Sequence, residues 1–228
     1  MLVGHFAASM MAKRIEPRVS LGTTMLAAML PDLLWTVFLM AGIEHAELQA
    51  GKGAAHYFKL ADIAISHSLL MDTVWAALLA AAYYWRRRYP RGAWVLFAAV
   101  LSHWLLDFVS NRGMPLAPGA HLYAGLGLWE SIPATLILEG GFWLLAIILY
   151  TRATQPRSRS GLYGFWIVVA LLTERWYANI AGPPPPNLRT AAIGGFIFFS
   201  LIVAWAYWMN RQRSKSTPTE NHGHQSWK

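Results

Sequence analysis

Six apolar runs, each about as long as a bilayer is thick, constrain this chain more than any other feature. They are Ser20 to Ile43, Ala64 to Trp85, Gly92 to Ser110, Ile132 to Tyr150, Gly161 to Gly182 and Thr190 to Met209. A transmembrane helix needs about 20 mostly apolar residues. The chain is 56% hydrophobic and 13% charged, whereas soluble domains carry roughly 25% charged residues, so a soluble core cannot absorb this much apolar surface. The runs predict an all-α, polytopic transmembrane helical bundle of about six spans. Residues 1–210 are expected to form a single transmembrane domain, followed by a disordered cytoplasmic tail over 211–228.

The cations follow the runs. Fourteen of the nineteen Lys and Arg residues precede the first run or follow the second, fourth and sixth, among them Lys13, Arg14, Arg91, Arg157, Arg213 and Lys215. Such clusters are the usual cytoplasmic flanks of membrane spans. The net charge of +8 is therefore topological, nucleic acid is not an expected partner, and both termini are expected in the cytoplasm. Met1 to Ala12 is short and has its positive charges after the apolar residues, which is not a cleavable signal pattern. A half-helix rising inward from Lys13 would carry His5 about 12 Å into the membrane. Cysteine is absent, which excludes disulfides, thiolate metal sites and cysteine nucleophiles.

Ionisable residues inside spans are costly, at least ~2.5 to 3.5 kcal/mol each near the bilayer centre, and are functional candidates for that reason. The first run holds Asp32 after Pro31, the second holds His67 and Asp72, and the third holds His103 and Asp107. Their depths converge on one layer toward the external face. His103 and Asp107 share a helical face one turn apart, which suits two ligands of one metal or a carboxylate orienting an imidazole. With His67 and Asp32 nearby and His5 on the half-helix, the set suits zinc, with manganese or iron as alternatives, better than calcium or magnesium. Bland readings stand beside these. The His103–Asp107 pair can be an interhelical hydrogen-bonded contact, Asp32 a cap on a broken helix, His67 a polar helix-start residue and His5 a frayed end. Asp72 lies off the His67 face and reads as a structural partner. Glu139, before Gly140-Gly141, reads equally as a general base or a bundle contact. Glu174 and Arg175 read as neutralising each other or other buried charges. His45, His56 and His121 fall in external loops, and His222 and His224 in the tail. The turn-rich loop from Asn111 to Trp129 is expected to lid the site.

These blocks together resemble a family of bacterial inner-membrane, metal-dependent hydrolases. The resemblance rests on Gly4-His5, Asp32-Leu33-Leu34-Trp35, Ser66-His67-Ser68-Leu69-Leu70, Leu101-Ser102-His103-Trp104-Leu105-Leu106-Asp107-Phe108, Gly125-Leu126-Gly127-Leu128-Trp129 and Glu139, and covers roughly residues 1–150. It implies an inner-membrane location and metal at His5, Asp32, His67, His103 and Asp107. In the reading that follows, Asp32, His67, His103 and Asp107 hold a divalent transition metal, while His5 and Glu139 complete the shell or move protons. The ion would activate water against a lipid or lipid-linked phosphoester. Two other functions compete: a proton-coupled or metal-ion transporter, and a haem-binding electron carrier ligated by His67 and His103.

Overall fold

The computed structural model describes residues 1–48 and 58–215, so His56, His222 and His224 lie outside the described residues. Its helices are α1 (Leu2–Ile15), α2 (Leu21–Ala28), α3 (Leu30–Met40), α4 (Ala64–His67), α5 (Leu69–Arg87), α6 (Pro90–Ser110), α7 (Ile132–Ala153), α8 (Arg159–Ala181) and α9 (Leu188–Gln212). Three short antiparallel pairs join loops: β1 (His45–Leu48) with β2 (Phe58–Asp62), β3 (Met114–Pro115) with β4 (Tyr123–Ala124), and β5 (Thr154–Pro156) with β6 (Arg213–Lys215). The protein is all-α in architecture, as its apolar runs require.

The pass count is lower than the six expected. α6, α7 and α9 have the length and apolarity to cross a bilayer, with mean hydropathies of 1.6, 2.0 and 1.8, and α2 with α3 qualifies as one broken span bent by 54°. That makes three crossing helices, or four if the bent pair counts as one. α5 and α8 fall short in composition. α5 carries Asp72 and ends in Tyr83-Tyr84-Trp85-Arg86-Arg87, and α8 carries Arg159, Glu174 and Arg175 among its apolar residues. Outward-facing apolar residues on α7 and α9, such as Ile137 at 71% and Leu201 at 63% exposed, make the kind of surface a bilayer covers and water does not.

The N-terminal half-helix is the centre of the bundle. At 14 residues α1 is about 21 Å long, too short to cross. Val3, Phe6, Ala7 and Met10 along it are fully buried, and it packs against α2, α6, α7 and α8. The core around it joins Met25, Trp143, Tyr150, Phe165, Leu172, Phe199 and Met209, while a second cluster of Ala27, Ala76, Leu96 and Val100 seats the α5–α6 hairpin against α2. Small residues permit the closest approaches: a Cβ on Gly22 would lie 2.2 Å from the Tyr207 ring.

Two breaks in the helices shape the end that carries the histidines. Ser20 caps α2 by accepting from the Thr23 N–H at 3.1 Å, but α2 stops after Ala28 because Pro31 has no N–H for the carbonyl four residues earlier and its ring clashes with that carbonyl. The chain restarts as α3 with Pro31 and Asp32 in its first turn. Likewise α4 is a single turn ending at His67, and the extended Ser68 then caps α5 by accepting from Met71 N–H at 3.2 Å. At the other end, β5 and β6 tie the α7–α8 connection to the end of α9. The last described residues, Arg213–Lys215, are thus paired strand, and the rest of the expected tail lies outside the described residues. Arg91 meets Glu16 with Nε to Oε2 at 3.0 Å, while Lys13, Arg14, Arg157, Arg213 and Lys215 line one cavity, so cations distant in sequence share one face. Met1 is not on that face; it lies at the opposite end of α1, in the cleft described below.

The central position of α1 predicts that Phe6→Ala destabilises the protein by about 3–5 kcal/mol, whereas Ile137→Ala on the outer surface of α7 changes stability by less than about 0.5 kcal/mol. Thermal unfolding in detergent, followed by circular dichroism, measures both.

Candidate metal centre

Each histidine of the cluster is turned by a specific backbone event. The break after α2 leaves the Ala28 carbonyl among the helix-end acceptors that have no partner in their own helix, and His103 Nδ1 donates to it at 2.8 Å. A carbonyl only accepts, so Nδ1 carries the proton and a neutral His103 presents the lone pair of Nε2. His67 is set through a relay. Glu44, 1% exposed, takes the N–H groups of Ile65 and Ser66 on Oε1 at 2.9 and 2.7 Å and the Ser66 hydroxyl on Oε2 at 2.6 Å. With its proton given to Glu44, Ser66 Oγ accepts from His67 Nδ1 at 2.7 Å. His67 therefore also presents a bare Nε2.

The two Nε2 atoms lie 3.3 Å apart. Asp32 Oδ1 is 3.5 Å from His67 Nε2 and 3.7 Å from His103 Nε2. Asp107 Oδ2 is 3.9 and 3.4 Å from the same two nitrogens. Two imidazole lone pairs and two carboxylates so arranged repel one another unless a cation stands among them. Ligands about 2.0–2.2 Å from a tetrahedral zinc are themselves roughly 3.3–3.6 Å apart, which is the range of most of these separations. Asp72, fully buried, adds a carboxylate whose two oxygens have no hydrogen-bond partner among the described residues. The donor set could hold a metal ion.

His5 joins from α1. Its ring stacks on His103 with centroids 3.7 Å apart and planes 7° from parallel, and its Nε2 lies 3.1 Å from Asp107 Oδ1. The Met1 amine also reaches Asp107 and His5. Among the described residues there are thus two groups of three that could hold a metal ion, His5–His103–Asp107 and Asp32–His67–His103, with ligand atoms within 4.8 Å of one another and His103 common to both.

Glu139 is brought close to α1 and to Trp129. It is fully buried and accepts from the Trp129 indole on Oε2 at 3.2 Å and, at a long 3.4 Å, from Gly4 N–H on Oε1. Glu174 and Arg175 form no ion pair with each other among the described residues. Arg175 instead faces a cleft of about 480 Å³, lined also by His5, Asp32, His67, Asp107 and Trp129. His45 and His121 are exposed, apart from the cluster. The loop expected as a lid forms a wall: Leu126 N–H donates to Phe108 O at 2.8 Å, Leu70 N–H to Leu116 O at 3.0 Å, and the Trp104 indole to Pro115 O at 3.1 Å. A Cβ on Gly125 would stand 1.9 Å from the Asn111 carbonyl oxygen, so the wall needs glycine there. Sequence reasoning missed Glu44; its only signal was a carboxylate between the first two runs, indistinguishable from a solvated loop acid.

An all-α membrane protein with a buried histidine–aspartate cluster opening into a cleft is the class that fold and site define. Residues 1–181 match the family model described as YdjM inner membrane protein, and the chain belongs to that family. The match runs to the end of α8, past the 1–150 suggested by the sequence blocks. No curated protein and no solved structure matches the chain.

Because Ser66 acts on the site only through His67, Ser66→Ala leaves Glu44 on the α4 N–H groups but removes the acceptor that orients the ring. Zinc affinity, measured by competition with a chromophoric chelator, is expected to fall about 10–100-fold with little change in melting temperature.

Proposed function

We propose that this protein is a membrane-bound, metal-dependent hydrolase acting on a lipid or lipid-linked phosphoester. The observation that carries this reading is the pair of imidazoles, both with Nδ1 committed to acceptors, whose bare Nε2 atoms converge with Asp32 and Asp107, the buried His103 lying behind a cleft that His67, Asp32, Asp107 and Arg175 line. In this reading Asp32, His67, His103 and Asp107 hold the ion, and zinc suits the nitrogen and oxygen donors best, with manganese or iron compatible. A divalent ion held there supplies a water acidified toward neutral pH and an electrophile for a phosphoryl oxygen.

The chain's own residues supply the rest. His5 has an Nδ1 without a hydrogen-bond partner among the described residues, and in this reading that nitrogen moves the proton. Glu139 keeps α1 and Trp129 in register behind it, a positioning role in place of direct proton transfer. Arg175, with Asn179 one helical turn on, offers donors to the phosphate oxygens, since a guanidinium fork matches phosphate geometry. Phe198 and Phe199 line the same cleft and suit an acyl chain. The transporter reading is less favoured because fully buried Phe6 and Met10 occupy α1 between the cleft and the basic face. Location in the bacterial inner membrane accords with the family, and the basic face is proposed as the cytoplasmic one.

Elemental analysis of protein purified without an affinity tag should find about one or two equivalents of zinc, manganese or iron, lost in the His103→Ala, Asp107→Ala double variant. Absence of metal from both would sink the proposal. Arg175→Ala should keep the metal and slow release of phosphate or a phosphorylated head group from mixed lipid vesicles about 100-fold.

A further inference from the structure

At the far end of α1 from His5, a second cavity of about 230 Å³ is lined by Lys13 and Arg14 of α1, Arg157 of the α7–α8 connection, and Arg213 and Lys215 of β6. These five cations come from three separate stretches of chain, and no carboxylate lines the cavity. None of them makes an ion pair with a carboxylate among the described residues; Glu16, the nearest acid along the chain, is taken by Arg91. Flanking cations of a membrane protein ordinarily extend into water or headgroups as separate side chains. Here they are gathered, and two of them, Lys13 and Arg213, are also held, while Arg14, Arg157 and Lys215 are exposed around them.

Arg213 shows the holding most clearly. It is 7% exposed, its Nε donates to Thr154 Oγ1 and its Nη2 to Thr154 O, both at 2.9 Å, and its guanidinium lies over Phe165 at 4.8 Å and Tyr150 at 5.5 Å from the ring centroids. All these partners are neutral, so its charge is oriented without being cancelled. Lys13 is tethered too, its Nζ donating to Pro17 O and Val19 O at 2.8 Å each. Burial first, then the like charge of Lys215, against the opposing pull of Glu16, pushes the Lys13 ammonium down to about 8, the direction that burial beside another cation dictates. Two oriented cations, with three more around the same cavity and no carboxylate in its lining, are complementary to phosphate oxygens.

We propose that this cavity is a binding site for a phosphate group, separate from the metal centre and carried either by an anionic lipid or by a soluble phosphoester. Lipid is the source its position suits: the cavity lies where α1, α7 and α9 end, among residues of the kind that bind acidic headgroups. The site does not depend on the hydrolase reading, since none of its lining residues lines the cleft at the other end of α1.

The test is native mass spectrometry of the full chain released from detergent, titrated with dioctanoyl phosphatidylglycerol or dioctanoyl phosphatidylcholine, with and without millimolar inorganic phosphate. One phosphatidylglycerol should bind at least tenfold more tightly than phosphatidylcholine. Lys13→Gln with Arg157→Gln should remove that preference while leaving bound metal unchanged; these two side chains are used because Arg213→Gln also loses the Thr154 and aromatic contacts and risks misfolding. Competition by inorganic phosphate assigns the site to phosphate from either source, and lipid preference without competition assigns it to the headgroup in its bilayer setting. Equal binding of the two lipids with no retention of phosphate, or a preference that survives the double substitution, overturns the proposal.

Discussion

At Pro31 the backbone has no N–H to offer the carbonyl of Ala27, and the helix that begins at Leu21 cannot continue through it. The remainder of the site depends on that interruption. It ends α2 at Ala28, whose carbonyl turns to His103 Nδ1, and it starts α3 with Asp32 in the first turn, where a carboxylate is favoured by the helix dipole. One missing donor thus orients an imidazole on α6 and delivers a carboxylate to it from α3. A straight helix over the same residues would pair the Ala28 carbonyl internally and carry Asp32 along a different line.

The second interruption, at Ser68, works by the same logic with different chemistry. The extended Ser68 separates a single turn, α4, from α5. A one-turn helix does not stand alone, because helix nucleation costs more than one turn returns. Glu44 supplies what is missing by accepting two of its N–H groups and the Ser66 hydroxyl. The carboxylate that stabilises α4 is therefore also the end of the relay that sets the His67 tautomer. Local stability and site geometry are the same set of hydrogen bonds here, an arrangement common around metal-binding histidines.

Much of this was legible in the residues. The apolar runs required helices, and the i, i+4 spacing of His103 and Asp107 put them on one face, where the structure finds them 3.4 Å apart. Asp32, His67 and His5 were marked by their cost in an apolar setting, and they do converge. The pass count was less legible. α5 and α8 are long, but their aromatic, arginine and acidic residues lower the hydropathy of helices that otherwise pack like their neighbours, and Pro31 divides a run that reads as continuous. Glu44 was illegible, since an acid in a connecting segment carries no sign of burial until another segment folds over it. By adjacency Arg175 reads as a partner of Glu174 or of other buried charges. Adjacent residues on a helix point about 100° apart, and only the position of α8 decides that Arg175 faces the cleft.

Composition and spacing are enough to define the solvent and the inventory: an α-helical membrane protein, with its cations segregated along the chain and a small set of histidines and aspartates in segments that would otherwise be apolar. These follow from composition and spacing, because the transfer cost of a side chain and the rise of a helix are local quantities. The tertiary structure alone decided which of those residues meet, which nitrogen of each imidazole is free, and which cations share a cavity. Those depend on helix rotation and on carbonyls freed at breaks. Helix rotation is set by packing among segments as distant as α1, α6 and α9, and no local spacing contains it.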